Sequence, residues 1–218
     1  MSMEETAERL ISLQTERLTL RFPREADIAD IVAHANNRAL AENLATMPHP
    51  YGVDDARKWV MQAGFGGRRT EFAVLDRRCG DAFVGSAGFG IREDDMLEIG
   101  YWIAEPCRER GFATEAARAV IDLAFGRTDA DRLNGVCRVT NEASRRVLVR
   151  CGFQYNRSGM SPSAALGGWV PVDRYVLDRS TWESLRTWRS PVVSTHSGPV
   201  RQKGDDRHKG EVRQKGAA

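Results

Sequence analysis

The chain has 218 residues, with 32 Lys and Arg against 30 Asp and Glu, for a formal net charge of +2 at pH 7. Its 41% apolar and 28% charged residues match a soluble globular domain with a small appendage, and no apolar run approaches the roughly 20 residues that cross a bilayer. The four cysteines, Cys79, Cys107, Cys137 and Cys151, form no CxxC pair and have no His at ligand spacing, so neither a metal site nor a disulfide framework is expected.

Residues 1–13 carry Glu4, Glu5 and Glu8 and lack the basic-then-apolar order of an export signal, so a reduced, cytoplasmic chain is expected. Leu18, Leu20 and Phe22 alternate with Thr19 and Arg21 as a half-buried strand. Asp27 is placed to cap a helix with apolar positions Ile28, Ile31, Val32 and Ala35. Asp54 is placed to cap a second with Ala56, Trp59 and Val60. The period then changes to two. Residues 72–75 and 82–85 flank a turn at 77–81 as a hairpin, and a further strand runs over 96–103. A helix over 113–125 carries Ala117, Val120, Ile121, Ala124 and Phe125 on one face. A strand at 133–139, a helix at 142–151 and strands at 153–157 and 172–177 follow. This order predicts one mixed α/β (α+β) domain around a single sheet over residues 1–188.

Residues 189–218 read as a disordered basic tail, rich in Ser, Gly, Lys, Arg and Gln, in which Val200-Arg201-Gln202-Lys203-Gly204 recurs as Val212-Arg213-Gln214-Lys215-Gly216. Within it, residues 191–218 hold six Lys and Arg against three Asp and Glu, so the body is nearly neutral and offers nucleic acid no basic field. The tail has two readings: a solvated extension, or an electrostatic tether to RNA or the ribosome.

The informative stretch is 96–116. Strand alternation puts Leu97, Ile99, Tyr101 and Ile103 on one face and Met96, Glu98, Gly100 and Trp102 on the other. The chain then passes through Pro106 into Arg108-Glu109-Arg110-Gly111-Phe112-Ala113, and a helix opens at Thr114 and Glu115. A strand feeding a Gly-containing loop at a helix start turns backbone N–H groups toward one point, a cradle for an anion. Neither GxxxxGK[ST] nor GxGxxG is present. An ordinary strand-to-helix loop is the alternative.

Arg108-x-x-Gly111-x-Ala113, set between Glu98-Ile99-Gly100-Tyr101-Trp102-Ile103 and Thr114-Glu115-Ala116, resembles the GNAT superfamily of acetyl-CoA-dependent N-acetyltransferases. Asn141-Glu142-Ala143-Ser144, ending in Cys151-Gly152-Phe153, adds to the match. So do Thr15-Glu16-Arg17-Leu18-Thr19-Leu20-Arg21 and Asp173-x-Tyr175-x-Leu177, which are similar to the RimJ/RimL branch of ribosomal-protein N-terminal acetyltransferases. The resemblance spans about residues 13–185. It implies a mostly antiparallel sheet of six to seven strands flanked by about four helices, split in a V between the fourth and fifth strands to admit the pantetheine arm of acetyl-CoA. It implies backbone contacts from Trp102 and Ile103 to that arm, and pyrophosphate binding by Arg108, Glu109, Arg110, Gly111, Phe112, Ala113 and Thr114.

It also implies direct attack of a primary amine, a protein N-terminus or a small molecule, on the thioester, with no metal. Ser144 is the candidate donor to the departing sulfur, or simply a polar residue at a helix start. Asn141 caps that helix, alone or while also contacting CoA. Glu98 is the candidate base, or a strand carboxylate. Residues 36–51, with Met47-Pro48-His49-Pro50-Tyr51, and Trp169 are candidates for acceptor recognition or for packing. His34 and His49 are assigned no role, and the cysteines read as core residues. The competing function is a non-catalytic CoA-binding module tethered by its tail. A monomer and a homodimer are equally compatible.

Overall fold

A computed structural model of the chain describes residues 11–64, 69–91 and 96–187, and the backbone of Val193–Thr195. Nine strands form one sheet in the order β7-β8-β6-β5-β4-β3-β2-β1-β9. They are β1 Ser12–Gln14, β2 Leu18–Arg21, β3 Arg69–Asp76, β4 Ala82–Ile91, β5 Leu97–Ile103, β6 Arg132–Arg138, β7 Gln154–Ser163, β8 Gly168–Asp178 and β9 Val193–Thr195. Every neighbouring pair is antiparallel except β5 and β6, which run parallel. Six α-helices lie among the described residues: α1 Ile28–Ala35, α2 Arg38–Ala41, α3 Val53–Gln62, α4 Phe112–Arg127, α5 Glu142–Arg150 and α6 Arg179–Arg186. The mixed fold is as expected, with more strands and helices than foreseen. Most of the expected tail lies outside the described residues, and its one described piece, β9, pairs with β1.

Two cores sit on opposite faces of the sheet. On one face α4 buries Ala117, Val120, Ile121, Ala124 and Phe125, as its apolar stripe predicts, against Leu18, Leu20, Ile99 and Leu133. On the other, Ile31, Ala35, Tyr51 and Ala56 pack on Ala73, Leu75 and Phe83, joined at the edge by Trp102. Helix α6 covers the end of α4. Trp182 stacks on Phe125 at 4.8 Å, and the Arg179 guanidinium donates to the carbonyls of Phe125, Thr128 and Ala130 at 3.0, 2.6 and 3.0 Å. Those donors serve the last-turn carbonyl of Phe125 and two carbonyls of the segment that follows the helix.

Both expected acidic caps are corrected. Asp27 makes no side-chain bond to the N–H groups of α1. Its carboxylate accepts from the Arg24 N–H at 2.7 Å and takes Arg21 bidentately at 2.7 and 2.8 Å, because a 3-10 turn at Glu25–Asp27 precedes the helix. Helix α3 begins after Gly52, so Asp54 lies inside its first turn, and Asp55 accepts from the Gly52 N–H at 2.9 Å.

Between β5 and β6 the ladder holds two residue pairs, Glu98 with Asn134 and Ile99 with Gly135. Beyond them the strands part, while β5 stays paired to β4 through Ile103 and β6 stays paired to β8 through Arg138. This is the V-shaped split expected between the fourth and fifth strands. The short strand β1, unforeseen in the sequence, moves the numbering by one. A Cβ at Gly85 of β4 would overlap the Trp102 carbonyl oxygen, so glycine lets β4 and β5 close on each other at the far end of β5, past its last pair with β6.

Candidate functional site

The two parting strands each run into a loop and then a helix. β5 leads to the N-terminus of α4, and β6 to that of α5. The first N–H groups of each helix have no intrahelical acceptor, so both positive dipole ends lie beside the split. The opening is a cavity of about 1340 Å³. Among its walls are Glu98, Trp102 and Ile103 from β5, Arg108, Glu109, Gly111, Phe112, Ala113 and Thr114 from the loop and α4, and Asn141 and Ser144 from α5. Sequence reasoning singled out each of these residues, and the fold brings them around one space.

Arg110 is the exception and does not line the cavity. Its side chain turns back to Asp76, with Nη2 at 2.9 Å from Oδ2, and its guanidinium lies over the Phe112 ring at 4.5 Å. Asp76 is fully buried. Burial raises its carboxyl pKa, but the Arg78 N–H at 3.0 Å and the Arg110 guanidinium outweigh that and hold it below the usual range. The Arg110 side chain therefore anchors the loop from behind.

A second set of contacts secures the same loop. The Arg17 guanidinium donates to the Arg110 carbonyl at 2.7 Å, lies over Phe112 at 5.0 Å and bridges to Glu115 at 2.6 Å. Glu115 also accepts from the Thr15 hydroxyl at 2.5 Å and the Arg17 N–H at 2.9 Å. Burial pushes the Glu115 carboxyl up, and these donors pull it further down, leaving its pKa lowered. The turn between β1 and β2 is thus latched to the first turn of α4. Within the loop Glu109 and Gly111 have φ of +63° and +80°, a backbone that directs successive N–H groups to one side.

Asn141 caps α5: its Oδ1 accepts from the Ser144 N–H at 3.1 Å. Sequence reasoning missed Tyr101. Its hydroxyl lies 3.1 Å from Ser144 Oγ and 3.2 Å from the Ser144 carbonyl oxygen. Burial raises the phenol pKa, so the group stays an O–H donor at neutral pH. The available signal was a hydroxyl in the apolar stripe Leu97, Ile99, Ile103, since a buried Tyr needs a polar partner.

The wall expected from residues 36–51 is supplied by its middle. Leu40, Glu42, Leu44 and Thr46 line the cavity with Trp169, whereas Tyr51 is core and Met47 packs against that core. Cys137 also lines the cavity, and burial pushes its thiol up to about 11, so it stays protonated at neutral pH and is poorly suited to carry an acyl group. Among the described residues no group of His, Cys, Asp and Glu could hold a metal. No helix among them is long and apolar enough to cross a membrane.

Comparison with known proteins agrees with this geometry. The family model described as "Acetyltransferase (GNAT) domain" matches residues 17–154. The chain is 43% identical over 148 residues to "Putative ribosomal N-acetyltransferase YdaF" of Bacillus subtilis, covering 63% of this chain and 78% of that one. It is 28% identical over 149 residues to "Uncharacterized N-acetyltransferase YoaA" of the same organism, covering 65% and 82%. Among solved structures, Mycobacterium smegmatis RimJ in complex with CoA-disulfide superposes with a TM-score of 0.69 at 18% identity, over 84% of this chain and 96% of that one.

Proposed function

The chain belongs to the acetyltransferase (GNAT) family, and from that premise we propose that it binds acetyl-CoA in the β5–β6 split and transfers the acetyl group directly to a primary amine of a protein N-terminus or a small molecule. The observation that carries this reading is the parting of β5 and β6 after two residue pairs, with two helix N-termini at the opening. The exposed strand edges can accept the amides of a pantetheine arm as a sheet accepts another strand. Trp102 and Ile103 offer their backbone to that arm. Residues 108–114 offer N–H groups and the α4 dipole to the pyrophosphate.

The amine nitrogen attacks the thioester carbonyl carbon, the C–N bond forms, and the C–S bond breaks to leave CoA thiolate. Glu98 and Ser144 lie on opposite sheet faces, which divides their roles. Glu98, beside the last β5–β6 pair, takes the ammonium proton directly or through a water. Ser144 donates to the departing sulfur, with Tyr101 holding the Ser144 hydroxyl in place. A thiol of pKa about 8.5 leaves readily, so one hydrogen bond suffices. An α-amine of pKa about 8 is roughly 10% neutral at pH 7, and a lysine amine of pKa about 10.4 under roughly 0.1%, so a single modest base suits an α-amine better. A cytoplasmic setting belongs to the same reading, supported by the absence of any disulfide among the four cysteines.

The experiment is CoA release from acetyl-CoA, followed with a thiol reagent, against N-terminal peptides, polyamines and aminoglycosides. Release with one class establishes the transfer and identifies the acceptor. Acetyl-CoA binding without release from any amine leaves the chain a CoA-binding module.

A further inference from the structure

The sheet face opposite α4 and α5 carries an unbalanced positive cluster beside the split. On β6, Asn134, Val136 and Arg138 share that face, and their β8 partners are Val176, Arg174 and Val172. Arg138 and Arg174 are therefore diagonal neighbours across one ladder, and both line the cavity. On the next strand Arg157 lies directly opposite Arg174, a like-charge pairing that a ladder disfavours unless an anion balances it. Among the described residues none of the three has a carboxylate within salt-bridge reach. Asp173 points to the other face, where its carboxylate accepts from Ser158 Oγ at 2.7 Å.

Two buried donors on this wall have no hydrogen-bond partner among the described residues. One is Arg138 Nε, whose guanidinium spends Nη1 on the Glu42 carbonyl at 3.0 Å. The other is the hydroxyl of Ser163, a residue 4% exposed that also lines the cavity. The Ala164 N–H donates to the Ala45 carbonyl at 2.9 Å, which closes the β7–β8 hairpin over the end of α2. Both unpaired donor atoms, Arg138 Nε and Ser163 Oγ, lie beneath the accessible surface, so a ligand meets this wall through the partly exposed Arg138 and Arg174 side chains rather than through them. Glu98 pairs with Asn134 on this same face, about 7 Å along the strand from the Arg174 row and about 13 Å from the Arg138 row. Long side chains at both ends shorten that gap.

We infer that the acceptor is an amine that also carries an acidic group, a carboxylate or phosphate, held by Arg138 and Arg174 while its nitrogen lies at Glu98. The inference rests on the acetyl-transfer reading and names its substrate class. A guanidinium fork matches either anion.

The test uses the full chain and matched acceptors that differ in one acidic group. One arm compares glucosamine 6-phosphate with glucosamine and glutamate with glutamine. The other compares amidated peptides beginning Ser-Asp and Ser-Asn. In at least one arm the acidic member should be preferred in kcat/KM by about tenfold to a hundredfold, the range of one hydrogen bond to a charged group. The arm that responds shows whether the acid sits on a free small molecule or a peptide. Arg138→Gln and Arg174→Gln should each erase most of that preference and leave the acetyl-CoA dissociation constant within about twofold. Equal use of acidic and neutral members in both arms overturns the inference while acetyl transfer stands. So does an unchanged preference in both variants, or a loss of acetyl-CoA affinity, which would assign the arginines to the cofactor. No CoA release from any amine removes the transfer reading, and this inference with it.

Discussion

Gly111→Val tests whether the backbone of the 108–114 loop, more than its side chains, binds the cofactor. Gly111 has φ of +80°, and a Cβ there would lie 3.2 Å from Arg17 Nη2. A left-handed conformation costs an L-residue about 1–2 kcal/mol, and a branched Cβ more. The Arg17 side chain cannot retreat freely, because it bridges to Glu115 at 2.6 Å. Together these come to about 2–3 kcal/mol, released if the loop leaves its left-handed geometry and scatters its N–H groups. The cost then appears in binding, as acetyl-CoA affinity about 30- to 150-fold weaker. Calorimetric titration of acetyl-CoA reads it, with Gly80→Ala as control. Gly80 has φ of +67° and open space around it in the β3–β4 turn, so its variant should lose stability and keep affinity. Wild-type acetyl-CoA affinity in Gly111→Val would refute the backbone cradle.

Ser144→Ala should lower kcat about 10²-fold with little change in acetyl-CoA KM, and Tyr101→Phe should lower it less. If Tyr101 acts by orienting Ser144, the double variant is no slower than Ser144→Ala, which steady-state kinetics of all three will show. Glu98→Gln should slow an α-amine substrate most at pH 7 and recover as pH rises through about 8, where the amine is neutral unaided; a pH profile of kcat/KM checks it, and unchanged turnover removes Glu98 from the mechanism. The folded-state pKa values of Asp27, Asp76 and Glu115 are all lowered, so their contribution is present above the unfolded pKa values near 4 and is lost as pH falls through the folded ones. Glu115→Gln should cost about 2 kcal/mol at pH 7 and flatten the acid limb of stability, measured by urea unfolding at several pH values.

Where periodicity or a local cap decides, the sequence was readable. The stripe over 113–125 became α4 at Phe112–Arg127, and Asn141 caps α5 as its N-x-x-S spacing implies. The alternation over 97–103 assigned Glu98 and Trp102 to one face of β5 and Tyr101 to the other. Where the partners lie on different elements, it was not. Asp27 looked like a cap because nothing local announces Arg21, a strand residue that claims its carboxylate. Nothing in the 108–114 pattern shows that the Arg110 side chain turns back to Asp76 on β3, behind the loop backbone. The three-residue β1 is too short to show a period. Arg138 and Arg174 are 36 positions apart and become neighbours only through the β6–β8 register, which no local pattern specifies.

With acetyl-CoA in the β5–β6 seam, as proposed, the cofactor would be a structural member as well as a reactant. Six strands lie on one side of that seam and three on the other, joined across it by two rungs, by the packing of α4 on α5, and by the Arg138–Glu42 and Ala164–Ala45 hydrogen bonds. A chain inserted into the gap supplies the missing rungs and ties the two half-sheets into one. On that reading part of the binding energy would go into stiffening the sheet, and releasing CoA would loosen it. The same seam would then couple product departure to the elasticity of the sheet.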